Sequence, residues 1–323
     1  MASKSISYSK YGYIFSIPFV VAFLIFSLYP LLYTIYIGFT NLKGLIPSNV
    51  HILEDPFRNF KTILAMPTFS KAIYNTVVIW ILNFIPQITI AFLLAAWFTN
   101  RRFKVKGQGS YKVLIYMPNI ITAATIAMLF YSLFGYPKGP INDIFMKMGV
   151  TTDPINFHLQ KWTARGVVAF IQFWMWYGNT MIVLIAGVLG ISPTLFEAAE
   201  IDGATASQIF FRITLPSLKT IVIYTLVTSM IGGMQMFDIP KLFLLGGPDN
   251  ATTTASVFIY NQAFSGSYFY NRAAAASMLM FIVIAILSII IFYTLRDKDE
   301  ILKRKRKKAM IKAAKLASRS VAA

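Results

Sequence analysis

Six long apolar stretches with few or no charged residues constrain this chain more than any other feature. A membrane core of about 30 Å is crossed by roughly 20 apolar residues in a helix, and each stretch reaches that length. They cover residues 11–40, 72–100, 113–134, 166–189, 218 to about 245, and 273–295. The sequence therefore predicts an all-α membrane protein with six transmembrane helices in residues 1–295, followed by a basic tail at 296–323.

The basic residues cluster beside these stretches. Eleven of the 30 Lys and Arg residues lie between Arg296 and Arg319, and five lie between Arg101 and Lys112. By the positive-inside rule, both termini, the 101–112 loop and the 192–219 loop are predicted to be cytoplasmic. The basic run at 303–308 predicts contact with membrane lipid headgroups. Because no aromatic side chain interleaves with this run, it offers no stacking surface for nucleic acid.

Several kinds of chemistry are excluded by the residues present. The chain has no cysteine and no GxxxxGK[ST], HExxH or GxSxG motif, so it is not expected to bind ATP through a phosphate-binding loop or to act as an enzyme of these types. His51 and His158 lie far apart in polar linkers and are interpreted as surface residues, not metal ligands. Of the 12 acidic residues, only Asp238 is predicted in or beside a span, which argues against a proton-coupled carrier.

Amide and aromatic side chains inside the predicted fourth and fifth spans are the main candidates for a binding function. Gln172, Trp176 and Asn179 recur at i, i+4 and i+7, so they share one helical face. Flat aromatic surfaces beside amide donors and acceptors suit a neutral sugar or polyol. The predicted substrate path consists of Gln172, Trp174, Trp176, Tyr177, Asn179, Gln235 and Asp238.

Packing offers a second interpretation of the same residues. Intramembrane amides often form hydrogen bonds between helices, and this interpretation is favoured for Asn83 and Gln87 in the second span. Asp238 and Lys241 are three residues apart, a spacing that also allows an ion pair near the membrane surface.

The segment 192–219 is a polar interruption between the fourth and fifth apolar stretches. Ser192-Pro193 can begin a helix, and Gly203 is expected to weaken or bend it. A second helical piece is predicted over 204–214, and the chain is expected to turn or restart at Leu215-Pro216. The result would be two short helices with a bend, presented at the membrane surface.

The spacing inside this segment resembles a known family. Glu197-Ala198-Ala199, Gly203, Ile213 and Leu215-Pro216 follow the pattern EAA-x3-G-x9-I-x-LP, which is similar to the EAA loop of binding-protein-dependent ABC importer permeases. The segments 13–33, 237–240, 246–252 and 260–264 are similar to carbohydrate permeases of the maltose and multiple-sugar type. Leu244 stands where the related Thr-x-Gly-Gly-Pro pattern has threonine.

The resemblance implies a division of labour between chains in a bacterial inner membrane. This chain and a second, unlike permease subunit would form the pore, two ATPase subunits would bind ATP and Mg²⁺, and an extracytoplasmic protein would deliver the sugar. No cofactor is expected in this chain. The residues expected to couple it to an ATPase are Glu197, Ala198, Ala199, Asp202, Gly203, Ile213, Leu215 and Pro216.

Alternatives remain open at this point. An importer of this type could carry another polar solute, such as glycerol phosphate, although no cationic cluster is predicted inside the spans. A secondary carrier or channel without partners is a different functional class. In that case the 192–219 loop would be an amphipathic connector, which would not need the fixed spacing.

Overall fold

The computed structural model describes residues 9–45, 49–100, 106–266, 268–295 and 310. Helices account for the architecture, and no strand forms within these ranges. In chain order the helices are α1 Ser9–Phe23, α2 Tyr29–Gly38, α3 Arg58–Leu64, α4 Pro67–Phe98, α5 Gln108–Tyr116, α6 Ala123–Leu133, α7 Pro140–Lys147, α8 Lys161–Leu189, α9 Pro193–Ile201, α10 Ala206–Ile209, α11 Leu215–Ser217, α12 Lys219–Met234, α13 Asp238–Leu244, α14 Ala255–Phe264 and α15 Tyr270–Leu295. The predicted all-helical membrane fold is confirmed. The predicted basic tail lies outside the described residues, apart from Met310.

In the part of the chain that the structure describes, five helical segments are long and apolar enough to cross a membrane, and a sixth crossing is formed if a bent helix pair counts as one span. The five segments are Tyr11–Gly38, Pro67–Phe98, Lys161–Leu189, Lys219–Leu244 and Tyr270–Leu295. The bent pair joins α5, extended by a short 3₁₀ turn, to α6 at an angle of 88°.

The predicted third span, 113–134, is therefore bent near its middle. Pro118 lies in the 3₁₀ turn Met117–Asn119. Because proline has no N–H to donate to a helical hydrogen bond, the α-helix is interrupted there. Thr122 then begins α6 as an N-cap, with its side chain accepting a hydrogen bond from the backbone N–H of Thr125 at 3.3 Å. The turn and the cap together redirect the chain.

Two π-helical segments lie just before prolines in otherwise helical runs. Leu24–Leu28 precedes Pro30, and Phe210–Thr214 precedes Pro216. Proline leaves the backbone carbonyl four residues earlier without its helical hydrogen bond. The wider π turn accommodates this loss without ending the helix. The chain does not turn at Pro216 itself. The backbone stays helical through Pro216, and the helix is interrupted only at Leu218, before α12 begins.

Helices α4 and α8 form the centre of the bundle, run in the same direction and pack along most of their length. Ala91, Ala95, Met181 and Leu184 form a buried cluster between them. Gly178 of α8 lies against the backbone of α5, where an added Cβ would stand 2.2 Å from the carbonyl oxygen of Ile115. Small side chains thus let the helices approach closely.

The two ends of the bundle carry different connections. The loop end, where α4 and α8 finish, carries residues 192–218; the far end carries residues 39–66, 134–160 and 245–269. At the far end Asp249 accepts hydrogen bonds from Lys71 of α4 at 3.4 Å and Lys161 of α8 at 2.6 Å. These contacts hold the pKa of the Asp249 carboxyl below its usual value, chiefly through Lys161.

A buried arginine strengthens the same junction. Arg165 directly precedes the predicted fourth span at 166–189, but it lies within α8 and is 6% exposed. Its guanidinium donates to the carbonyl of Ala251 at 3.0 Å and to Oδ1 of Asn75 at 2.7 Å. Asn75 in turn donates to the carbonyls of Asn250 and Thr253. Helix α8 begins before the apolar stretch at 166–189, because these partners satisfy the buried charge of Arg165. We call Lys71, Asn75, Lys161, Arg165 and residues 249–253 the far-end clamp.

The two histidines differ in their surroundings. His51 is exposed, as predicted, whereas His158 is half-buried. The ring of His158 stacks on Tyr131 with centroids 4.5 Å apart and meets Phe243 edge-on. The prediction that His158 is a surface residue is wrong because α6 and α13 cover its ring, and this burial lowers its pKa.

Candidate functional site

A cavity of about 290 Å³ lies between α4, α8 and α12 in the middle of the bundle. Its volume is close to the lower limit of small-molecule sites. Among the described residues, no Lys, Arg, Asp or Glu lines it. The lining residues are Trp80, Asn83, Gln87, Gln172, Trp176, Asn179, Thr180, Val183, Tyr224, Thr225, Thr228, Ser229, Gly232, Gly233 and Met236.

Several polar groups of the cavity have unused hydrogen-bonding capacity. The side-chain amides of Gln172 and Asn179 form no hydrogen bond with any described residue, although Gln172 is only 8% exposed. The hydroxyl of Thr225 is buried and has no partner within the described ranges. Buried polar groups are usually paired, so these three side chains suit a hydroxyl-bearing ligand.

Gln87 and Asn83 behave differently. Gln87 donates to the hydroxyl of Thr180 at 2.7 Å, which links α4 to α8. Asn83 donates to the carbonyl of Ile79 in its own helix at 3.0 Å. The packing interpretation is thus confirmed for Gln87, although both residues also face the cavity.

The structure brings together only part of the predicted substrate path. Gln172, Trp176 and Asn179 line one wall, with the Trp176 side chain 46% exposed. Trp174 instead meets Phe130 edge-on at 5.3 Å in the core, and Tyr177 packs beside Phe173 at 5.4 Å. Their positions on α8 turn these two rings away from the shared face.

Gln235 and Asp238 lie outside the cavity, just past the end of α12. Both are exposed. Lys241 forms no ion pair with Asp238 in the described part of the chain; its ammonium donates to Oδ1 of Asn261 at 2.8 Å and lies 4.8 Å from the ring centroid of Tyr260. The predicted ion pair is therefore wrong, because α14 offers Lys241 a closer acceptor.

Sequence reasoning missed the hydroxyl face of α12. Tyr224, Thr225, Thr228 and Ser229 all line the cavity, and Gly232 continues the same face. Their spacing of one, four, five and eight residues is a helical stripe. This spacing was visible in the sequence, but hydroxyl groups in an apolar helix also satisfy their own backbone, as Thr228 does toward Tyr224 at 2.8 Å.

A close glycine contact shapes the wall between α4 and α12. A Cβ on Gly233 would stand 2.1 Å from Cδ1 of Trp80, whereas a Cβ on Gly232 would meet nothing within 4 Å. Trp80 also stacks on Phe84, with ring centroids 5.6 Å apart. Gly233 therefore allows the indole of Trp80 to approach α12 closely.

A helix–bend–helix forms at the loop end, as predicted for residues 192–219. In α9, Ala199 is buried, while Glu197, Ala198 and the following Asp202 are exposed. Gly203 has a φ of +72° with open space around it, a conformation that favours glycine. Thr205 and Gln208 then form a capping box that begins α10.

The remaining predicted loop residues lie on the return path to α12. Ile213 and Leu215 are half-buried and Pro216 is exposed. Within α9, Leu195 is 49% exposed and Ile201, its last residue, is 86% exposed. The loop therefore presents small and apolar side chains outward.

A protein-family model described as "Binding-protein-dependent transport system inner membrane component" matches residues 11–299. The chain belongs to this family. The lactose transport system permease protein of Rhizobium radiobacter is 29% identical over 293 residues, which cover 90% of this chain and 96% of that protein. The arabinooligosaccharides transport system permease protein of Bacillus subtilis is 30% identical over 266 residues, covering 81% and 82%.

Solved structures show the same fold for this permease. A bacterial ABC transporter involved in the import of the acidic polysaccharide alginate matches with a TM-score of 0.72 at 24% identity, covering 88% of this chain and 94% of that chain. A second structure of the alginate transporter, in complex with an alginate pentasaccharide-bound periplasmic protein, matches equally well with a TM-score of 0.72.

Proposed function

We propose that this chain is one of two unlike permease subunits in an ATP-driven importer of a neutral sugar or oligosaccharide. The uncharged cavity between α4, α8 and α12 carries the proposal. The free amides of Gln172 and Asn179 would bind sugar hydroxyls, and the indoles of Trp80 and Trp176 would cover apolar ring faces. Relatives named as lactose and arabinooligosaccharide permeases support a carbohydrate substrate.

A charged substrate fits this cavity less well. Glycerol phosphate would bring a phosphate group into a site that no described Lys or Arg lines, and an unpaired charge is costly to bury. A neutral sugar needs only the hydroxyl and amide partners that are present.

The test is uptake by the complete importer in proteoliposomes, measured against a panel of neutral sugars and glycerol 3-phosphate. Replacing Gln172 and Asn179 by Leu should raise the half-saturating sugar concentration, because unpaired hydroxyls in the site cost about 1–3 kcal/mol each. Gln160→Leu is the matched control, since Gln160 is exposed and outside the cavity. Unchanged transport in the double variant would refute the cavity's role.

The segment 192–218 is the proposed contact to an ATPase subunit on the cytoplasmic side. Its exposed Ala198, Leu195 and Ile201 offer a small apolar surface, and Glu197 and Asp202 add negative charge to it. ATP and Mg²⁺ would bind to two ATPase subunits. Movement of the docked α9 would be passed to α8 and α12, between which the loop lies, and would open the cavity to alternate sides.

Gly203 provides a sharp test of this coupling. Gly203→Val should abolish uptake while leaving membrane insertion intact, because a β-branched residue is strained at positive φ. Gly203→Asn should retain uptake, since asparagine tolerates this conformation. Gly149→Val is the control at the far end, where φ is +70° and the space is equally open.

Co-purification separates this proposal from a carrier or channel without partners. A tagged chain should bring down a second permease and an ATPase. Purification of an active chain alone would contradict the proposal.

A further inference from the structure

A second polar recess, which we call the far-end cleft, lies away from the cavity between α4, α8 and α12. It has a volume of about 190 Å³, and none of its lining residues lines the cavity between α4, α8 and α12. It is formed by the segment after α2, by α3 and by the start of α15. The lining residues are Asn41, Lys43, Leu53, Arg58, Asn59, Thr62, Phe269, Asn271 and Arg272.

The floor of the cleft is fixed by two buried amides. Asn59 donates to the carbonyls of Gly38 and Thr40, both at 2.9 Å. Asn271 donates to the carbonyl of Thr40 and to Oδ1 of Asn59, both at 3.2 Å. These bonds tie α2, α3 and α15 together, so the recess is a preformed part of the fold.

The described residues that line the cleft include three cations and no acidic residue. Lys43, Arg58 and Arg272 form no ion pair with any carboxylate in the described ranges. Asp55 is close enough to Arg58 to interact with it. Its carboxylate, however, is held by Lys61 at 2.8 Å, and mainly this bond lowers the pKa of Asp55.

Arg272 is the most confined of the three cations. It is half-buried, and its guanidinium lies 4.2 Å from the ring centroid of Phe269. Its side chain donates no hydrogen bond to a described residue. Arg165 differs, because both of its side-chain hydrogen bonds reach protein acceptors.

We propose that the far-end cleft is a docking site for acidic side chains of the extracytoplasmic binding protein. This inference rests on the proposed function, which places the far end outside the cell membrane and requires a protein to deliver sugar there. Guanidinium groups bind carboxylates through paired, charge-assisted hydrogen bonds. Two arginines and a lysine around a fixed recess supply the positive half of such a contact, and the carboxylates come from the partner.

The experiment measures binding of the cognate binding protein to the complete importer in nanodiscs. The variants are Arg58→Gln with Arg272→Gln, and separately Lys43→Gln, because the Lys43 side chain is exposed. Lys147→Gln is the matched control, because Lys147 is an exposed far-end cation outside the cleft. The double variant should raise the dissociation constant about tenfold or more, Lys43→Gln should raise it less, and the control should not change it. The affinity of the wild-type importer should also fall with added salt more steeply than that of the double variant.

Nanodiscs of phosphatidylcholine alone are compared with nanodiscs that contain phosphatidylglycerol. The proposal requires the loss of affinity in both. A loss seen only with phosphatidylglycerol would overturn it in favour of a lipid-headgroup site, and equal affinity of all variants would overturn it outright. If the wild-type importer bound no extracytoplasmic protein at all, the proposed function itself would fail, which is a distinguishable result.

Discussion

Adjacent glycines in α12 allow a direct test of the cavity wall. Gly233→Ala would place a Cβ 2.1 Å from Cδ1 of Trp80. To reach an ordinary carbon–carbon separation of about 3.5 Å, the indole must retreat by about 1.4 Å. Gly232→Ala adds the same methyl group one residue earlier, where nothing lies within 4 Å.

The pair isolates the cost of crowding. Alanine gains about 0.5–1 kcal/mol over glycine in a helix, and this gain is common to both variants. Overpacking typically costs about 1–3 kcal/mol, so Gly233→Ala should be less stable than Gly232→Ala by that amount. At roughly 2–4 °C per kcal/mol, thermal unfolding in detergent resolves the difference. Sugar uptake should also fall in Gly233→Ala, because Trp80 lines the cavity.

A double-mutant cycle identifies the group responsible. Trp80→Ala removes the ring that the new methyl group would strike. The destabilisation of Gly233→Ala with Trp80→Ala should therefore be about 1–3 kcal/mol less than the sum of the single effects. Additive effects, or equal unfolding temperatures for the two glycine variants, would refute the close packing of Trp80 against Gly233.

Three further predictions concern other parts of the fold. Arg165→Met should lower the free energy of unfolding by about 3 kcal/mol, since it leaves buried acceptors such as Asn75 unpaired. Lys161→Met should lower it by at most about 1 kcal/mol, because the Lys161 ion pair is exposed. Similar losses for the two variants in urea unfolding would contradict the role of Arg165 in the far-end clamp. Below about pH 6.5, His158 binds a proton in the unfolded chain, whereas burial of the ring opposes protonation in the folded protein. The unfolding temperature of the wild type should therefore fall more steeply with acidification than that of His158→Phe. Parallel plots of unfolding temperature against pH would exclude this contribution. Gly178→Ala should destabilise by about 1–3 kcal/mol through its contact with a backbone carbonyl, while Gly166→Ala in the same helix, with open space, should not; equal unfolding midpoints would count against the close approach.

The long helices were predictable because crossing a membrane requires length and apolar composition, and both are properties of a local stretch. The shared face of Gln172, Trp176 and Asn179 was predictable for a related reason, since helical periodicity depends only on spacing. These predictions needed no knowledge of which helices are neighbours.

What the sequence did not reveal depends on contacts between distant segments. Arg165 is buried because Ala251, 86 residues later, accepts its hydrogen bond. Trp174 and Tyr177 belong to the same span as Gln172, but only the packing of α6 and α8 assigns Trp174 to the core. Residues 113–134 were predicted as one span, and their 88° bend follows from a 3₁₀ turn and a threonine cap together.

The far-end clamp has a mechanical consequence for the whole bundle. Lys71 and Asn75 of α4 and Lys161 and Arg165 of α8 hold the same short loop, and Gln87 meets Thr180 further along. The two parallel helices are therefore joined at the far end and again further along their length, so they would move as one unit. A force applied to α8 at the loop end would therefore move α4 with it. The helices would then separate at the contact with α12, where Trp80 lies close to Gly233.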